Sequence, residues 1–526
     1  MMNPGESMRV SGLRCFLIAG ALAGCATPPR VVPAEPVALP AGEISANELR
    51  RDLYAFAADS MRGRETGTDD ATRAARFLAS RIQQLGLEPA GDSMYIQRVP
   101  LQRESFADAS TITVDRGGRT TTLRVVDDLI PLVNLGPGVP PAKRNARAGI
   151  VFAGYGTSIA KPSRDDLAGL DLEGKVVVVV NGAPATADSS TRATLESENA
   201  IAERLARILP QRPAAVIILL TGSGASLFGQ LVPDLKNGVS QRTSNGDIPD
   251  AERPLPMILL GVPKVGSPLL PAGWPRDDRP QTLAGTFAAH IEQQRTPFTG
   301  YNVVGVIRGR DPYLSRTFVA LGAHYDHIGI VAPVLGDSIA NGADDDGSGS
   351  VALLAIARSM AQGVIKPRRS TLFVWHIGEE KGLLGSSYFV EHPTVPIDSI
   401  VAQVNADMIG RNAPSLLYVV GPNAAPNGQS RKLGVVVDSV NAHQPAPFVI
   451  NREWDSLTHP EHIYERSDHF NYARKGIPIV FLTTGLHDDY HKVGDSADKI
   501  EYEKLARVTR LMRDIVVAVG DRASRP

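Results

Sequence analysis

The C-terminal half of the chain alternates short apolar runs with helix-like segments, and this alternation constrains the fold more than any other feature. The strand-like runs are RTFVALGAH (316–324), TLFVWHI (371–377), SIVAQVNADM (399–408) and PIVFLTT (478–484). Helical patterns occur between and after these runs, and another lies near the N-terminus. Such alternation is typical of an α/β fold. We therefore expect a mixed, largely parallel central sheet with helices on both faces.

The segment from about Val125 to His290 has a different pattern. Its short apolar runs, among them KVVVVVNG and AVIILLTG, are separated by turn residues and indicate a β-rich module. The chain has 526 residues, which is too long for one ordinary domain. We therefore expect a main domain built from 44–130 and 293–526, interrupted by a β-rich insertion at 131–292.

The N-terminus has the order of a secretory signal. Two arginines precede the short apolar stretch Cys15–Leu22, and the small residues of LAGC follow it. LAGC also resembles a bacterial lipobox, in which the cysteine becomes the lipidated first residue of the mature protein. We expect a lipoprotein signal at 1–24, lipidation at Cys25 and a flexible tether at 25–43. The implied location is the bacterial cell envelope, with a lipid anchor in the outer membrane. The alternative is ordinary cleavage and a soluble secreted or periplasmic protein.

Charge and residue usage narrow the possible partners and cofactors. The formal net charge is −1, so nothing favours nucleic acid or an anionic membrane surface as a partner. Both cysteines, Cys15 and Cys25, lie in the N-terminal segment, so any metal must be held by histidine and carboxylate. All eleven histidines fall between His290 and His491. Metal chemistry therefore belongs to the C-terminal half.

Five places in that half put a ligand-type residue near the C-terminal end of an apolar run. They are His324 with Asp326, the triplet Asp344–Asp346, the pair Glu379–Glu380, Asp407, and His487 with His491. Each place alone has an ordinary explanation, because an aspartate before a helix is usually an N-cap and carboxylates favour the first helical turn. Open α/β sheets, however, build their sites at the carboxyl ends of their strands. The joint pattern therefore indicates one site.

Two histidines and three carboxylates suit a pair of divalent ions, most naturally zinc. Two such ions about 3.5–4 Å apart need one carboxylate to bridge them. They also need a carboxylate that stands near the attacking water without binding metal, to act as a general base. Adjacent glutamates at a strand end can divide these roles between them.

The motifs HxD, GADDDGSG, EExGLxGS, NxDM and YHxxxD together resemble the co-catalytic zinc aminopeptidases of metallopeptidase clan MH. The resemblance covers roughly Arg316–Leu511, with a weaker extension to 44–100. It implies a zinc exopeptidase fold and two Zn²⁺ per chain. The β-rich insertion resembles a protease-associated (PA) domain, which several members of the family carry.

Carried over residue by residue, the resemblance implies a role for each motif residue. Asp345 bridges the two ions, and the other metal ligands are His324, Glu380, Asp407 and His491. The ion served by each terminal carboxylate stays open. Glu379 is implied as the general base. Asp326 is implied as the carboxylate that orients a ligand imidazole.

Other polar residues receive weaker expectations. Asp468 and His469 are expected to help bind substrate. The remaining aspartates of the triplet are expected to be loop and cap residues, and His327, His376 and His487 are expected to be structural. Arg62 and Arg64 are expected to pair with surface acids.

The leading functional hypothesis is an aminopeptidase that removes N-terminal residues from peptides. Carboxypeptidase or dipeptidase action on the same centre is the first alternative, and glutaminyl cyclase is a further one. A binding protein with a structural metal site is the non-enzymatic alternative, but such a site needs no spare carboxylate like Glu379. No oligomeric state follows from the sequence.

Overall fold

A mixed sheet flanked by helices forms the centre of the protein. The computed structural model describes residues 42–133, 139–160, 163–197, 199–243, 248–264, 266–363 and 365–526. The expected signal at 1–24 and the lipidation site Cys25 lie outside the described residues, as does nearly all of the expected tether. No helix in the described ranges is long and apolar enough to cross a bilayer.

The elements are numbered in chain order within the described residues. The helices α1–α10 are Ala46–Phe56, Asp69–Gln84, Ser189–Leu195, Asn199–Ile208, Ser223–Asn237, Gly349–Ala361, Leu384–Glu391, Arg431–Ala442, His469–Arg474 and Tyr502–Gly520. The strands β1–β11 are Glu88–Pro89, Ile96–Phe106, Thr111–Arg116, Arg119–Leu123, Leu129–Pro131, Asn145–Phe152, Ser158–Ile159, Arg164–Asp165, Val176–Asn181, Ala215–Leu220 and Val239–Arg242. The strands β12–β22 are Met257–Gly261, Gln281–His290, Gln293–Ile307, Phe318–His324, Gly329–Val334, Asp337–Ala340, Ser370–His376, Ile400–Ala406, Leu416–Val420, Val449–Asn451 and Ile479–Thr483.

Four neighbouring parallel strands form the middle of the main sheet. The sheet order is β11-β2-β14-β18-β15-β19-β22-β20-β21, and β18, β15, β19 and β22 run parallel to one another. The outer strands β14 and β20 run antiparallel to this group. Because parallel strands end at the same edge of a sheet, the carboxyl ends of four strands meet there.

Helices cover both faces of this sheet, which confirms the predicted α/β class. Side chains alternate along each strand, so β15 contributes to a separate apolar core on each face. Val319 and Leu321 pack in the core under α1, α2, α6, α8 and α10, whereas Phe318 and Ala320 pack in the core under α7 and α9. Each Å² of apolar surface buried in these two cores stabilises the fold by about 25 cal/mol.

A second mixed sheet lies in the segment predicted to be β-rich. Its order is β4-β3-β13-β6-β9-β10-β12-β5, and two apolar cores, one including Val176 and the other Val177, cover its opposite faces. The sheet starts at Thr111, before the predicted boundary at 131. The strand β11 lies within the predicted insertion in sequence, but it pairs with β2 of the main sheet. The long strands β2 and β14, rather than a linker, connect the two sheets. The PA assignment and the domain boundaries stay predictions.

A buried arginine fastens the N-terminal loop onto the carboxyl edge of the main sheet. Arg64 is fully buried and donates hydrogen bonds to the carbonyls of Phe56, Tyr325, Asn341 and Gly342 at 2.6–3.3 Å. Burial lowers the pKa of Arg64 to about 10, although nearby aspartates oppose that shift. Arg64 therefore does not pair with a surface acid, contrary to the expectation from sequence. The loop from 341 to 342 that it holds leads directly to Asp345.

Replacing Arg64 tests whether its four hydrogen bonds to main-chain carbonyls stabilise the fold. Arg64→Met keeps much of the apolar stem but leaves four carbonyls without their donor, so we expect the free energy of unfolding to fall by about 3–5 kcal/mol. The matched control is Arg62→Met, because Arg62 is more than half exposed and pairs with Asp70 at 3.4 Å. We expect that change to cost less than about 1 kcal/mol. Urea unfolding measures the free energy of unfolding of both variants. Equal unfolding midpoints for the two variants would contradict the stabilising role of Arg64.

Candidate metal centre

The carboxyl edge of the four parallel strands collects the predicted ligands. His324 is the last residue of β15, Asp407 follows β19 directly, and Glu379 and Glu380 follow β18 in a short loop. His491 comes from the loop after β22. The structure therefore brings together residues that lie up to 167 positions apart in sequence, between His324 and His491.

Asp345 belongs to one of two groups of side chains that could hold metal ions and contacts the other group. One group contains His327, Asp345, Glu380 and His491, and the other contains His324, Asp346 and Asp407; within each group the donor atoms lie within 4.8 Å of one another. Asp345 Oδ1 is 3.1 Å from His324 Nε2, whereas its Oδ2 is 3.2 Å from His491 Nε2. Asp345 therefore presents one oxygen to each group.

The distances between donor atoms fit the spacing of ligands around shared ions. Two atoms that each lie about 2.0–2.1 Å from a tetrahedral ion are about 3.3 Å apart. His324 Nε2 is 3.5 Å from Asp407 Oδ1, and His491 Nε2 is 2.9 Å from Glu380 Oε2. His324 Nε2 and Asp345 Oδ2 are buried without a hydrogen-bond partner among the described residues. Buried polar atoms are normally satisfied, so this donor set fits two divalent cations.

Charge is concentrated at this edge. Burial opposes charge on His491, yet the adjacent carboxylates of Asp345 and Glu380 raise the pKa of His491 to about 10. Burial and Asp345 act to raise the pKa of Glu380, but the adjacent imidazoles of His327 and His491 lower it to about 2. Both groups therefore carry charge at neutral pH in the metal-free protein.

Glu379 is placed differently from its neighbour. Its Oε2 is 4.0 Å from His324 Nε2, and its side chain lines a pocket beside the cluster. Burial raises the pKa of Glu379, and the nearby carboxylates Asp407 and Glu380 raise it further. A carboxyl group that stands outside the donor groups and has a raised pKa suits proton transfer.

Asp326 supports the site through both its main chain and its side chain. Its main-chain carbonyl accepts a hydrogen bond from His324 Nδ1 at 3.1 Å, whereas its carboxylate is 3.8 Å from that nitrogen. The carboxylate instead accepts hydrogen bonds from the Thr66 hydroxyl and from the main-chain N–H of Glu379. The group of Asp326 that orients the imidazole is therefore its main-chain carbonyl, where the sequence predicted the carboxylate. The carboxylate instead positions the Glu379 loop.

The aspartate triplet is held by contacts that the sequence did not predict. The carboxylate of Asp495, the last residue of YHxxxD, accepts hydrogen bonds from the main-chain N–H groups of Asp344 and Asp345. Asp346 Oδ1 accepts the Gly349 N–H at 2.8 Å at the start of α6, and Asp346 also belongs to a candidate donor group. His487 Nε2 lies 3.4 Å from Asp344 Oδ2.

The pocket beside the cluster is lined by both apolar and charged side chains. Its apolar lining comes from Met408, Trp454, Ile463, Phe481 and Leu486. Asp345, Glu379 and Asp407 line the same pocket, so the pocket opens onto the cluster. Such a pocket accepts an apolar group next to a reacting bond.

Asp468 and His469 lie at the start of α9, and their predicted role in substrate binding stays a prediction. Asp468 is fully buried, and its neighbour Ser467 lines the pocket. His469 Nε2 lies 2.8 Å from the Tyr464 carbonyl, and its ring stacks on Phe481. Burial lowers the pKa of His469 to about 3, so this side chain is neutral at physiological pH.

Comparison with known proteins finds relatives of this α/β domain, which carries two adjacent candidate cation sites. Residues 302–516 match the model of Peptidase family M28. Probable leucine aminopeptidase 1 of Trichophyton verrucosum is 28% identical over 248 residues, which are 45% of this chain and 62% of that protein. Leucine aminopeptidase 1 of Trichophyton rubrum is 30% identical over 239 residues, 42% of this chain and 60% of that protein. The chain thus spans about three fifths of these relatives.

A solved structure extends the similarity beyond the family segment. The aminopeptidase from Aneurinibacillus sp. strain AM-1 aligns with a TM-score of 0.54 at 18% identity, covering 92% of this chain and 96% of that one. At this identity the comparison shows a shared fold.

The buried carboxyl group of Asp468 should make the stability of chelator-treated protein depend on pH. Burial raises the pKa of Asp468 to about 7, from an ordinary value of 3.8. Folded protein then binds a proton that unfolded protein releases, so the stability this proton contributes is present at low pH and is lost as the pH rises to 7. We expect Asp468→Asn to flatten the decline of the melting temperature between pH 5 and 7.

The size of that effect is on the order of 1 kcal/mol per pH unit. The control is Ser467→Ala, which changes the neighbouring residue without removing a titrating group. An Asp468→Asn variant with the wild-type pH slope would show that this carboxyl group is ionised in the folded protein at pH 5.

Proposed function

We propose that the protein is a zinc-dependent aminopeptidase. The observation that carries the proposal is the placement of Asp345 between two donor groups, with Glu379 beside them on the pocket. In this proposal His324, Asp345 and Asp407 hold one zinc ion, and Asp345, Glu380 and His491 hold the other. When bound, the ions would polarise the scissile carbonyl and increase the acidity of the attacking water.

Glu379 performs the proton transfers in this mechanism. Its raised pKa equips the carboxylate to take a proton from water and then give it to the leaving amine. The peptide C–N bond breaks, the water oxygen ends in the new carboxylate, and the proton taken from water ends on the amine. The Asp326 carboxylate keeps Glu379 in position by accepting a hydrogen bond from the main-chain N–H of Glu379.

The surroundings of the cluster favour an N-terminal substrate. Of the three carboxylates that line the pocket, Glu379 is not a proposed zinc ligand, and its negative charge favours a free ammonium group over a C-terminal carboxylate. The apolar lining suits a side chain such as leucine, in agreement with the similarity of this chain to the two leucine aminopeptidases. Carboxypeptidase or dipeptidase action is the second candidate, because Arg466 also lines the pocket. Its guanidinium, however, lies 3.2 Å from Glu461 and donates to the Tyr490 hydroxyl.

The proposed setting is the bacterial cell envelope. The charged, apolar and small residues of 1–24 support export, and LAGC supports a lipid anchor on Cys25. Peptides outside the cytoplasm are then the substrates. Labelling with a radioactive fatty acid tests the anchor, since Cys25→Ser should abolish incorporation.

Peptide digestion followed by mass spectrometry tests the activity. We expect wild-type protein to shorten free peptides one residue at a time from the N-terminus, and to leave N-acetylated copies intact. Glu379→Gln removes the base but no proposed ligand, so we expect both metals to stay and turnover to fall by at least about 10²–10⁴-fold. Asp345→Ala removes the shared ligand, so we expect loss of metal and activity together.

These outcomes separate the alternatives. Products that lose C-terminal residues would move the substrate to the carboxypeptidase class while keeping the metal centre. Full turnover by Glu379→Gln would reject the assignment of the base. Zinc-loaded protein that cleaves no peptide would reject the peptidase proposal altogether.

A further inference from the structure

His327 occupies a place in the cluster that its expected structural role does not explain. The ring is fully buried, and its Nδ1 lies 2.7 Å from Glu380 Oε1. The other oxygen of the same carboxylate, Oε2, lies 2.9 Å from His491 Nε2. Glu380 is therefore held between two imidazoles, one on each oxygen.

The distances assign different roles to these two imidazoles. The separation between Glu380 and His327 is that of a direct charge-assisted hydrogen bond, and it is shorter than the spacing of about 3.3 Å expected for two ligands of one tetrahedral ion. His327 Nδ1 is also 3.7 Å from Asp345 Oδ2, whereas His491 Nε2 is 3.2 Å from that atom. His491 thus faces both carboxylates as a co-ligand would, and His327 faces Glu380 alone at hydrogen-bonding distance.

The backbone fixes the position of the His327 ring. Gly342 has φ +57°, and a Cβ built on it would lie 2.5 Å from Cδ2 and Cγ of the imidazole. Only glycine allows the ring to approach this closely. Arg64 holds the same peptide in place by donating to the Gly342 carbonyl. The ring therefore stays beside Glu380 with little freedom to move.

We infer that His327 is a positioning residue, which donates from Nδ1 to Glu380 Oε1 and leaves Oε2 free to bind the ion shared with His491 and Asp345. This inference rests on the proposed zinc centre and adds a fourth side chain to one of its two sites. A ligating carboxylate that can rotate loses affinity for its ion, whereas one held by a neighbour is oriented in advance. His327 therefore sets the affinity of one metal site without touching the metal.

Two amide substitutions separate the possible roles of His327. Asparagine places its N–H₂ group near the position of Nδ1, whereas glutamine places it near the position of Nε2. His327→Asn should therefore keep the donor to Glu380, and His327→Gln should lose it. The control is His469→Gln, which changes another fully buried histidine, one whose Nε2 contacts the Tyr464 carbonyl.

The readout is the number of zinc ions and the dissociation constant of each, measured on the full mature chain by chelator competition and elemental analysis. We expect His327→Gln to keep one ion at wild-type affinity and to bind the second 10–100-fold more weakly. His327→Asn should recover that loss to within a few fold. The His469→Gln control should bind both ions as the wild type does. Circular dichroism confirms that each variant is folded.

Three results would overturn the inference. Wild-type affinity for both ions in His327→Gln would show that the His327 side chain only packs in the interior and does not position Glu380. An equal loss in His327→Asn and His327→Gln would make the imidazole itself a metal ligand. A wild-type chain that binds fewer than two ions would remove the site on which the inference rests. Because metal binding is the readout, a chain that holds two ions but cleaves no peptide rejects the proposed activity and leaves the role of His327 standing.

Discussion

The concentration of negative charge at one edge of the main sheet is the constraint on which the rest of the structure depends. Asp345, Asp346, Glu379, Glu380 and Asp407 lie together, with little or no exposure to solvent. Burying a single unpaired carboxylate costs several kcal/mol, and like charges at close range add to that cost. Histidines offset part of the cost, and two divalent cations would offset the rest. The cluster therefore favours a fold in which cations are bound.

Most of the surrounding polar contacts hold this cluster together against its own repulsion. Asp495 fixes the backbone of Asp345, Asp326 fixes the backbone of Glu379, and Arg64 fixes the peptide that precedes the aspartate triplet. Each of these groups acts through main-chain atoms rather than on the ligand oxygens. A shift of about 1 Å in a ligand weakens both metal binding and catalysis, so this support is needed for the chemistry as well as for stability.

Most of the proposed ligands could be predicted because they lie beside a strand end that the apolar pattern already marks. His324, Glu380 and Asp407 are examples, and the structure places all three at the common edge of the sheet. The role of His327 was not predictable in this way. A histidine next to a turn resembles a structural residue until the ring is seen beside Glu380. Arg64 was misassigned for a similar reason, since arginines in polar loops are usually solvated.

The class of fold, the edge of the sheet where a site would form and the residue types available to bind metal could all be read from the amino-acid sequence. These properties follow from hydrophobic periodicity and from the rule that parallel strands end together. The folded structure was needed to show which oxygen of Asp345 faces which histidine, and that Asp326 reaches His324 through its carbonyl. Those choices depend on distances of a few tenths of an ångström between segments far apart in the chain. No local pattern encodes such distances, because they result from packing of the whole sheet and its loops.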